Sequence, residues 1–503
     1  MSEQPLPKNL YTAAQVRALD RCAIEEHRIP GIQLMKHAGR AAFEVLLQRW
    51  PDAEHIHVVC GTGNNGGDGF IIAGLTAQRG LPVSVWQVGD AAKISGDALL
   101  ARHFAEQAGV AIKPFADEVF ASGVIVDALL GTGLGGDVRE PFAAAIAAIN
   151  ASGLPVLAID IPSGLCSDSG RVLGVAVHAQ ATATFIGLKR GLFTGDAADY
   201  CGAIHFFDLD VPAEIYRAVA PSCVRLTLDD LRQHLPRRPR TAHKGYYGHV
   251  LIVGGDYGMA GAATMAAQAA GRVGAGLVSC ATQPEHVAAL VARCPEVMAH
   301  AVRSGNELEP LLAKASVIVI GPGLGRSAWS EQMLQCVWQR LQMTSDVIAV
   351  LDADALNLLA EGKVVPQPYC ERWILTPHPG EAARLLNTST AEIQRDRFAA
   401  AQQLQQRYGG AVVLKGAGTL VATAAGISVA SYGNPGMASG GMGDVLSGVL
   451  GGLLAQHLDV AAAAQFGVCV HGHAADLAAA ADGERGLLAS DLLPHLRRLV
   501  NHE

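Results

Sequence analysis

The stretch HVVCGTGNNGGDGFIIAGLTAQ, residues 57–78, decides how the chain folds. His57, Val58, Val59 and Cys60 read as a short β-branched strand, residues 61–69 hold five glycines in nine positions, and residues 70–78 read as helix. Glycines let a chain turn tightly after a strand, and backbone N–H groups ahead of a helix form a cradle for an anion. The spacing is neither the dinucleotide GxGxxG nor a P-loop, because no Lys-Ser/Thr pair follows. A bare turn needs one or two glycines, so five point to a binding loop.

Outward from this stretch the same alternation continues. Toward the N-terminus, Thr12 caps a helical pattern over residues 13–28, which breaks at Pro30 and resumes over residues 32–50. Toward the C-terminus, β-branched runs at 83–88, 124–127, 156–160 and 204–209 are mostly separated by helix-length segments, the pattern of a parallel sheet with crossover helices. The first half therefore reads as a Rossmann-like three-layer domain. Periodicity weakens between residues 210 and 240, around Pro221 and the basic run PRRPR at 236–240, which reads as a connector. Strand candidates restart at 249–253, 316–320, 347–352, 373–375 and 411–414, and a glycine-rich loop feeds a long helical segment from Asp444. The predicted domains are 1–222 and 223–503, both α/β. Spacings downstream of the two strand-to-glycine turns differ, so no internal repeat is assigned.

Composition bounds the function. A chain of 503 residues with 57 glycines, half of its residues hydrophobic and 5% aromatic is too long for one small domain and too apolar for disorder. A formal charge of −8 gives no general attraction to nucleic acid or an anionic membrane, so any anionic ligand must be held by local geometry. No leader-like segment or membrane span is read, and the expectation is a soluble cytoplasmic protein without nucleic-acid or membrane partners. Ten cysteines without a CxxC read as reduced core thiols.

Three strand ends in the first half carry polar residues: Asn65 in the first glycine loop, Asp127 before GTGLGGD (131–137), and Asp160 opening DIPSG (160–164). Carboxyl ends of neighbouring parallel strands converge on one crevice, so these residues should share a site. Asn65, Asp127 and Ser163 are hard oxygen donors, which suit an alkali cation or Mg²⁺ better than a transition metal, and the single carboxylate among them argues for a monovalent ion. In the second half, Gly441, Met442 and Gly443 would aim N–H groups at a phosphoryl group while Asp444 takes a proton from a hydroxyl nucleophile. Lys415, Gly416, Ala417, Gly418 and Thr419 offer a cation, backbone donors and a hydroxyl to a nucleotide; GPGLG (321–325) would line a cleft; His378 and Glu381 stand three apart after another strand. His471 and His473 read as ordinary helix residues.

Taken in order, GTGNNGGDG, GTGLGGD, DIPSG, GPGLG, TPHPGE (376–381), KGAGT (415–419) and GGMGD (440–444) resemble the bifunctional NAD(P)H-hydrate repair enzymes, over nearly the whole chain. In that family an NAD(P)HX epimerase domain is fused to an ADP-dependent NAD(P)HX dehydratase domain of ribokinase-like fold. The resemblance implies that Asn64, Asn65, Gly66, Gly67, Asp68, Gly131, Thr132, Gly133, Leu134, Gly135, Gly136, Asp137 and Asp160 bind the hydrated nucleotide, NADHX or NADPHX, with potassium on Asn65, Asp127 and Ser163. It implies that Ala260, Gly323, His378 and Asp444 contact the hydrate in the second domain. Lys415 to Thr419 with Gly443 would contact ADP, with Mg²⁺ at that site, and a homo-oligomer is expected. Asp160 and Asp444 are the expected catalytic residues. Sugar kinases of this fold usually carry Asn-x-x-Glu where this chain has His378-Pro379-Gly380-Glu381, which favours the dehydratase branch. Two alternatives remain distinct: a vitamin or sugar kinase fused to a nucleotide-binding module, which would release a stable phosphorylated product, and a first half serving as a non-enzymatic scaffold, which need not keep NNGGD, Asp127 and Asp160 together.

Overall fold

The computed structural model describes residues 5–116 and 118–501, and the chain divides into two compact units, Met1–Val224 and Arg225–Glu503. In the first unit seven strands form one parallel sheet in the order Ile112–Pro114, Val83–Gln87, Ile56–Cys60, Val124–Ala128, Val156–Ile159, Ala181–Phe185, Ala203–Phe207. Alternate side chains along each strand feed two cores. Val58, Val126 and Leu157 pack with the helices Gly31–Arg49 and Asn64–Gln78, while Val59, Ile125 and Ala158 pack with the helix Phe142–Ser152. Burial on both faces explains why these strands read as continuous apolar runs, and each fully buried Val or Ile stabilises the layer by about 1.5–3 kcal/mol. The order reverses between Ile56–Cys60 and Val124–Ala128, and the crevice outside the carboxyl ends at that point is where open α/β sheets hold ligands.

One boundary differs from the sequence reading in an informative way. The helix begins at Asn64, not at residue 70, so the NNGGDG segment forms its first two turns. These glycines serve close approach: a Cβ on Gly66 would lie 2.2 Å from the Gly61 carbonyl oxygen, and one on Gly69 would lie 2.6 Å from the Ala128 Cβ. Glycine lets this helix pack directly on the two central strands.

Among its described residues the second unit has nine strands, ordered Met298–Ala301, Leu277–Thr282, His249–Val253, Val317–Ile320, Ile348–Leu351, Trp373–Leu375, Ala411–Leu414, Thr419–Thr423, Gly426–Ala430. The first seven run parallel and the last two are antiparallel additions. Its switch point falls between His249–Val253 and Val317–Ile320. The apolar helices Ala260–Arg272, Met442–Ala455 and Val460–Asp482 bury their small residues and leucines in one core.

The connector expected over residues 210–240 is instead folded. The strand Cys223–Arg225 pairs antiparallel with Asn9–Tyr11 through Leu10 and Cys223, and Leu226, Leu228, Leu231 and Leu235 are buried in the second core. Short elements joined by turns gave no period long enough to read. All ten cysteines are free thiols, and among the described residues no helix is long and apolar enough to cross a membrane.

Candidate active sites

In the first unit a cavity of about 610 Å³ opens at the switch point. Of the residues expected there, Asn64, Asn65, Asp68, Gly131, Thr132, Gly133, Leu134, Gly135 and Asp160 line it. Gly66 and Gly67 are buried behind them, and Gly136 and Asp137 do not line it, Asp137 lying beside Gly174. Asp160 follows the strand Val156–Ile159 with φ 69°, a left-handed conformation that costs a residue other than glycine about 1–3 kcal/mol and clusters at functional sites. Its carboxylate is ion-paired with Lys189. Lys189 is fully buried and spends its other two donors on Thr184 Oγ1 at 2.9 Å and the Phe185 carbonyl at 3.2 Å, so every ammonium hydrogen is placed.

Two more carboxyls face this centre. Burial pushes Asp20 up to about 6, with Asp160 adding to the shift and Lys189 and Arg17 opposing it. Burial, reinforced by Asp160 and Asp20, holds Asp68 well above the usual carboxylate range.

Asp127 and Ser163 are fully buried and do not line the cavity. Asp127 accepts from Ser163 Oγ at 2.6 Å, Ser163 N at 2.8 Å and Leu129 N at 3.3 Å, and burial raises it to about 6 despite these bonds. Ser163 Oγ in turn accepts from Leu130 N at 2.9 Å, tying the DIPSG turn to the loop ahead of Gly131. A Cβ on Gly131 would lie 3.4 to 3.6 Å from the Asn65 side chain. Asn65 Oδ1 and Nδ2 are both buried without a hydrogen-bond partner. An orphaned amide of this kind costs about 1–3 kcal/mol unless a ligand satisfies it.

In the second unit the centre is Asp352, 1% exposed at the end of the strand Ile348–Leu351. It accepts from Lys415 Nζ at 2.7 Å, Thr376 Oγ1 at 2.8 Å and Ser447 Oγ at 2.7 Å. Burial alone would raise Asp352, but Lys415 and these hydrogen bonds hold it below its ordinary value; burial likewise opposes the charge on Lys415, which Asp352 and Glu381 more than restore. Gly443 adjoins this pair, its hypothetical Cβ lying 3.4 Å from both Asp352 Oδ2 and Lys415 Nζ. The helix Met442–Ala455 starts after Gly441, whose φ of 92° suits glycine alone, and leaves its first-turn N–H groups unpaired within the helix. Asp444 lies in that turn, pushed up to about 7 by burial and by Asp352, against Lys415.

The Lys415 ammonium is committed to Asp352 and, at 3.8 Å, to Glu381. Its loop is held from behind by Arg397, which donates to the carbonyls of Leu414, Lys415 and Gly418 at 3.3 to 3.4 Å. Thr419 begins a strand and donates to the Gly416 carbonyl at 2.9 Å. His378 and Glu381 form a reciprocal cap on the helix Pro379–Leu386: His378 Nδ1 accepts from Gly380 N at 2.9 Å, and Glu381 Oε2 accepts from His378 N at 2.8 Å. With Nδ1 accepting, Nε2 carries the hydrogen, 3.4 Å from Glu381 Oε1. Burial raises Glu381 to about 7.

Ala260 opens the helix Ala260–Arg272. Gly323 packs so closely that a Cβ would fall 2.6 Å from the Met259 carbonyl oxygen. Asp256 joins their loops, donating from its N–H to the Gly323 carbonyl at 2.7 Å and accepting from Ser327 Oγ at 2.8 Å. His471 is in a helix as read, but it is buried with Nε2 unpartnered, and burial pushes it down to about 4.

Sequence reasoning missed Lys189, Asp20 and Asp352. Asp352 carried the strand-end signal used for Asp127 and Asp160; Lys189, on a two-residue strand, and Asp20, on an amphipathic helix, carried none.

The sequence model of the NAD(P)H-hydrate dehydratase family matches residues 250–498, and that of the YjeF-related protein N-terminus matches residues 31–191. The bifunctional NAD(P)H-hydrate repair enzyme Nnr of Coxiella burnetii is 52% identical over 494 residues, 98% of this chain and 99% of that one. Its counterpart in Vibrio cholerae is 45% identical over 500 residues, 99% of each chain. A ribokinase-like superfamily protein of Enterococcus faecalis, solved as a crystal structure, is 30% identical with a TM-score of 0.50, covering 55% of this chain and 94% of its own. The first unit is thus Rossmann-like and the second ribokinase-like. With relatives of this identity aligned along almost its whole length, the chain belongs to the bifunctional NAD(P)H-hydrate repair enzyme family.

Proposed function

We propose that the first unit interconverts the R and S forms of hydrated NADH and NADPH, and that the second dehydrates the S form, converting ADP to AMP and phosphate. The observation that carries the reading is Asp444: a carboxyl held near neutrality in the first turn of a helix, beside unpaired N–H groups and an Asp–Lys pair. Such a group takes a hydroxyl proton while the helix N-terminus stabilises the charge of a transferring phosphoryl group.

The hydrate is a hemiaminal, with hydroxyl and nitrogen on one carbon. As its oxygen attacks the β-phosphorus of ADP, Asp444 takes the proton and AMP leaves. The nitrogen lone pair then expels phosphate, and proton loss from the adjacent carbon restores the dihydronicotinamide. His378, Ala260 and Gly323 would hold the hydrate, and the loop of Lys415, Gly416, Ala417, Gly418 and Thr419 with Gly443 would hold ADP. Among the described residues no group of three His, Cys, Asp or Glu could form a metal site. Mg²⁺ would arrive on the nucleotide phosphates. A kinase would instead release a stable phosphorylated product. Phosphorus NMR of a reaction with ADP should show AMP and inorganic phosphate rising one for one with recovered NADPH; a persisting phosphorylated hydrate would favour the kinase.

At the first site Asp160 would handle the proton as the hemiaminal opens and recloses. Asn65, Asp127 and Ser163 fit a potassium ion: the unpartnered Asn65 amide and the buried Asp127 carboxylate supply neutral oxygen and a single charge. Potassium there would set positive charge beside an anionic substrate. Crystals grown with potassium should show density among these residues at distances longer than the roughly 2.1 Å of Mg²⁺ to oxygen; short octahedral density, or none, would count against it.

The two activities would reside on separable domains. Because Cys223 pairs with Leu10, a fragment should run through Val224 rather than stop at 222. Expressed alone, it should fold and equilibrate the epimers without nucleotide. A folded fragment whose exchange, followed by NMR, is no faster than the spontaneous reaction would make the first unit a binding module.

A further inference from the structure

The helix Ala13–Arg21 and the π-helical turn Cys22–Glu26 present Val16, Arg17, Asp20 and Ile24 to the cavity that Asp160 enters from the sheet. The two carboxyls meet it in different company. Asp160 is ion-paired with Lys189, whereas the Asp20 carboxyl makes no ion pair or hydrogen bond among the described residues and shares its helical face with Val16 and Ile24. Paired carboxyls in contrasting surroundings are how one site holds a base and an acid together.

We infer that Asp20 is the second catalytic carboxyl of the first site, serving the ring nitrogen of the hydrate while Asp160 serves its oxygen. The inference rests on the epimerase reading above. In the opening step Asp160 takes the hydroxyl proton, the carbon–oxygen bond becomes a carbonyl, and the carbon–nitrogen bond breaks. Its electron pair goes to nitrogen, which takes the proton of Asp20. The freed aldehyde rotates about its carbon–carbon bond. In reclosure nitrogen attacks the other face, Asp20 recovers the nitrogen proton and Asp160 returns its own to oxygen. Both carboxyls finish as they began, and no co-reactant is consumed.

The charged and titratable groups around Asp20 are Lys189, Arg17, Asp160, Asp68 and Tyr216. Asp68 is the rival donor. It too lines the cavity without an ion pair among the described residues, on the helix Asn64–Gln78, but burial and the carboxylates of Asp160 and Asp20 hold it well above the carboxylate range, whereas Asp20 near 6 can give and regain a proton close to neutrality.

The test uses the full chain and chemically prepared NADPHX, with exchange followed by NMR across pH and corrected for the spontaneous rate. For the parent, exchange falls on the alkaline side where Asp20 loses its proton. Asp20→Asn should lower exchange about 100-fold and abolish the alkaline fall, while ADP-dependent dehydration of the S epimer stays at the parent rate. Asp20→Glu, which keeps an acid, should recover at least about a tenth of the exchange and show a displaced alkaline fall. Exchange in Asp20→Asn within about threefold of the parent overturns the proposal. So does an alkaline fall that survives in Asp20→Asn or Asp20→Glu at its parental pH, or one lost only in Asp68→Asn. A parent chain that fails to exchange epimers at all defeats the epimerase reading itself, and this inference with it.

Discussion

Asp444→Asn should lower ADP-dependent dehydration by about 1,000-fold and leave epimer exchange at its parent rate. The amide keeps the shape of the helix start but cannot accept the hydroxyl proton. The magnitude follows from the surroundings: burial and the neighbouring Asp352 hold the carboxyl near 7, close to optimal for a base working at neutral pH. A base must be ionised, so the parent rate should fall as pH drops below about 7, and the residual rate of the variant should lose that dependence. Initial rates of NADPH recovery from the S epimer across pH check both points. Near-parental dehydration by the variant would remove Asp444 from the chemistry.

The second large effect lies at the ion pair. Asp160→Asn should slow exchange about 100-fold, because a neutral amide cannot move the proton that opens the ring. Lys189→Met should cost activity and folding together: it leaves the Asp160 carboxylate without its buried cation, and breaking such a pair destabilises by about 3–5 kcal/mol. The partial exposure of Asp160, 18% at its side chain, puts the expected loss at the lower end. Denaturant unfolding of the fragment through Val224 measures this separately from exchange. Parental stability in Lys189→Met, with parental exchange, would show the pair to be incidental.

Much of this is legible in the amino-acid sequence because glycines and strand-end acids are local signals. The segment from Ile56 through Gly69 announced the central strand and the crevice, and Asp160 reaches that crevice from a strand end, whereas Asp127, read from the same signal, is buried behind it. What failed to show was tertiary. Gly66 and Gly69 read as loop residues, since nothing local reveals that a helix must approach Gly61 and Ala128 closely. Asp20 is one polar position on an amphipathic helix, and only the fold turns it toward a cavity. Lys189 stands beside Arg190 at the end of the short strand Leu188–Lys189, and its burial is matched by partners distant in sequence or on the preceding strand, Asp160 and Thr184. The strands Leu277–Thr282 and Met298–Ala301 escaped notice in alanine- and glycine-rich surroundings that dilute strand periodicity.

The central claim is that one chain drains both epimers of a damaged cofactor through two sites. It is tested most directly by supplying the R epimer of NADPHX alone, with ADP and Mg²⁺, and following the absorbance of reduced nicotinamide. Complete recovery, far faster than spontaneous epimerisation allows, is the predicted result. Recovery that proceeds only at the spontaneous rate, although the S epimer is dehydrated rapidly by the same preparation, would contradict it.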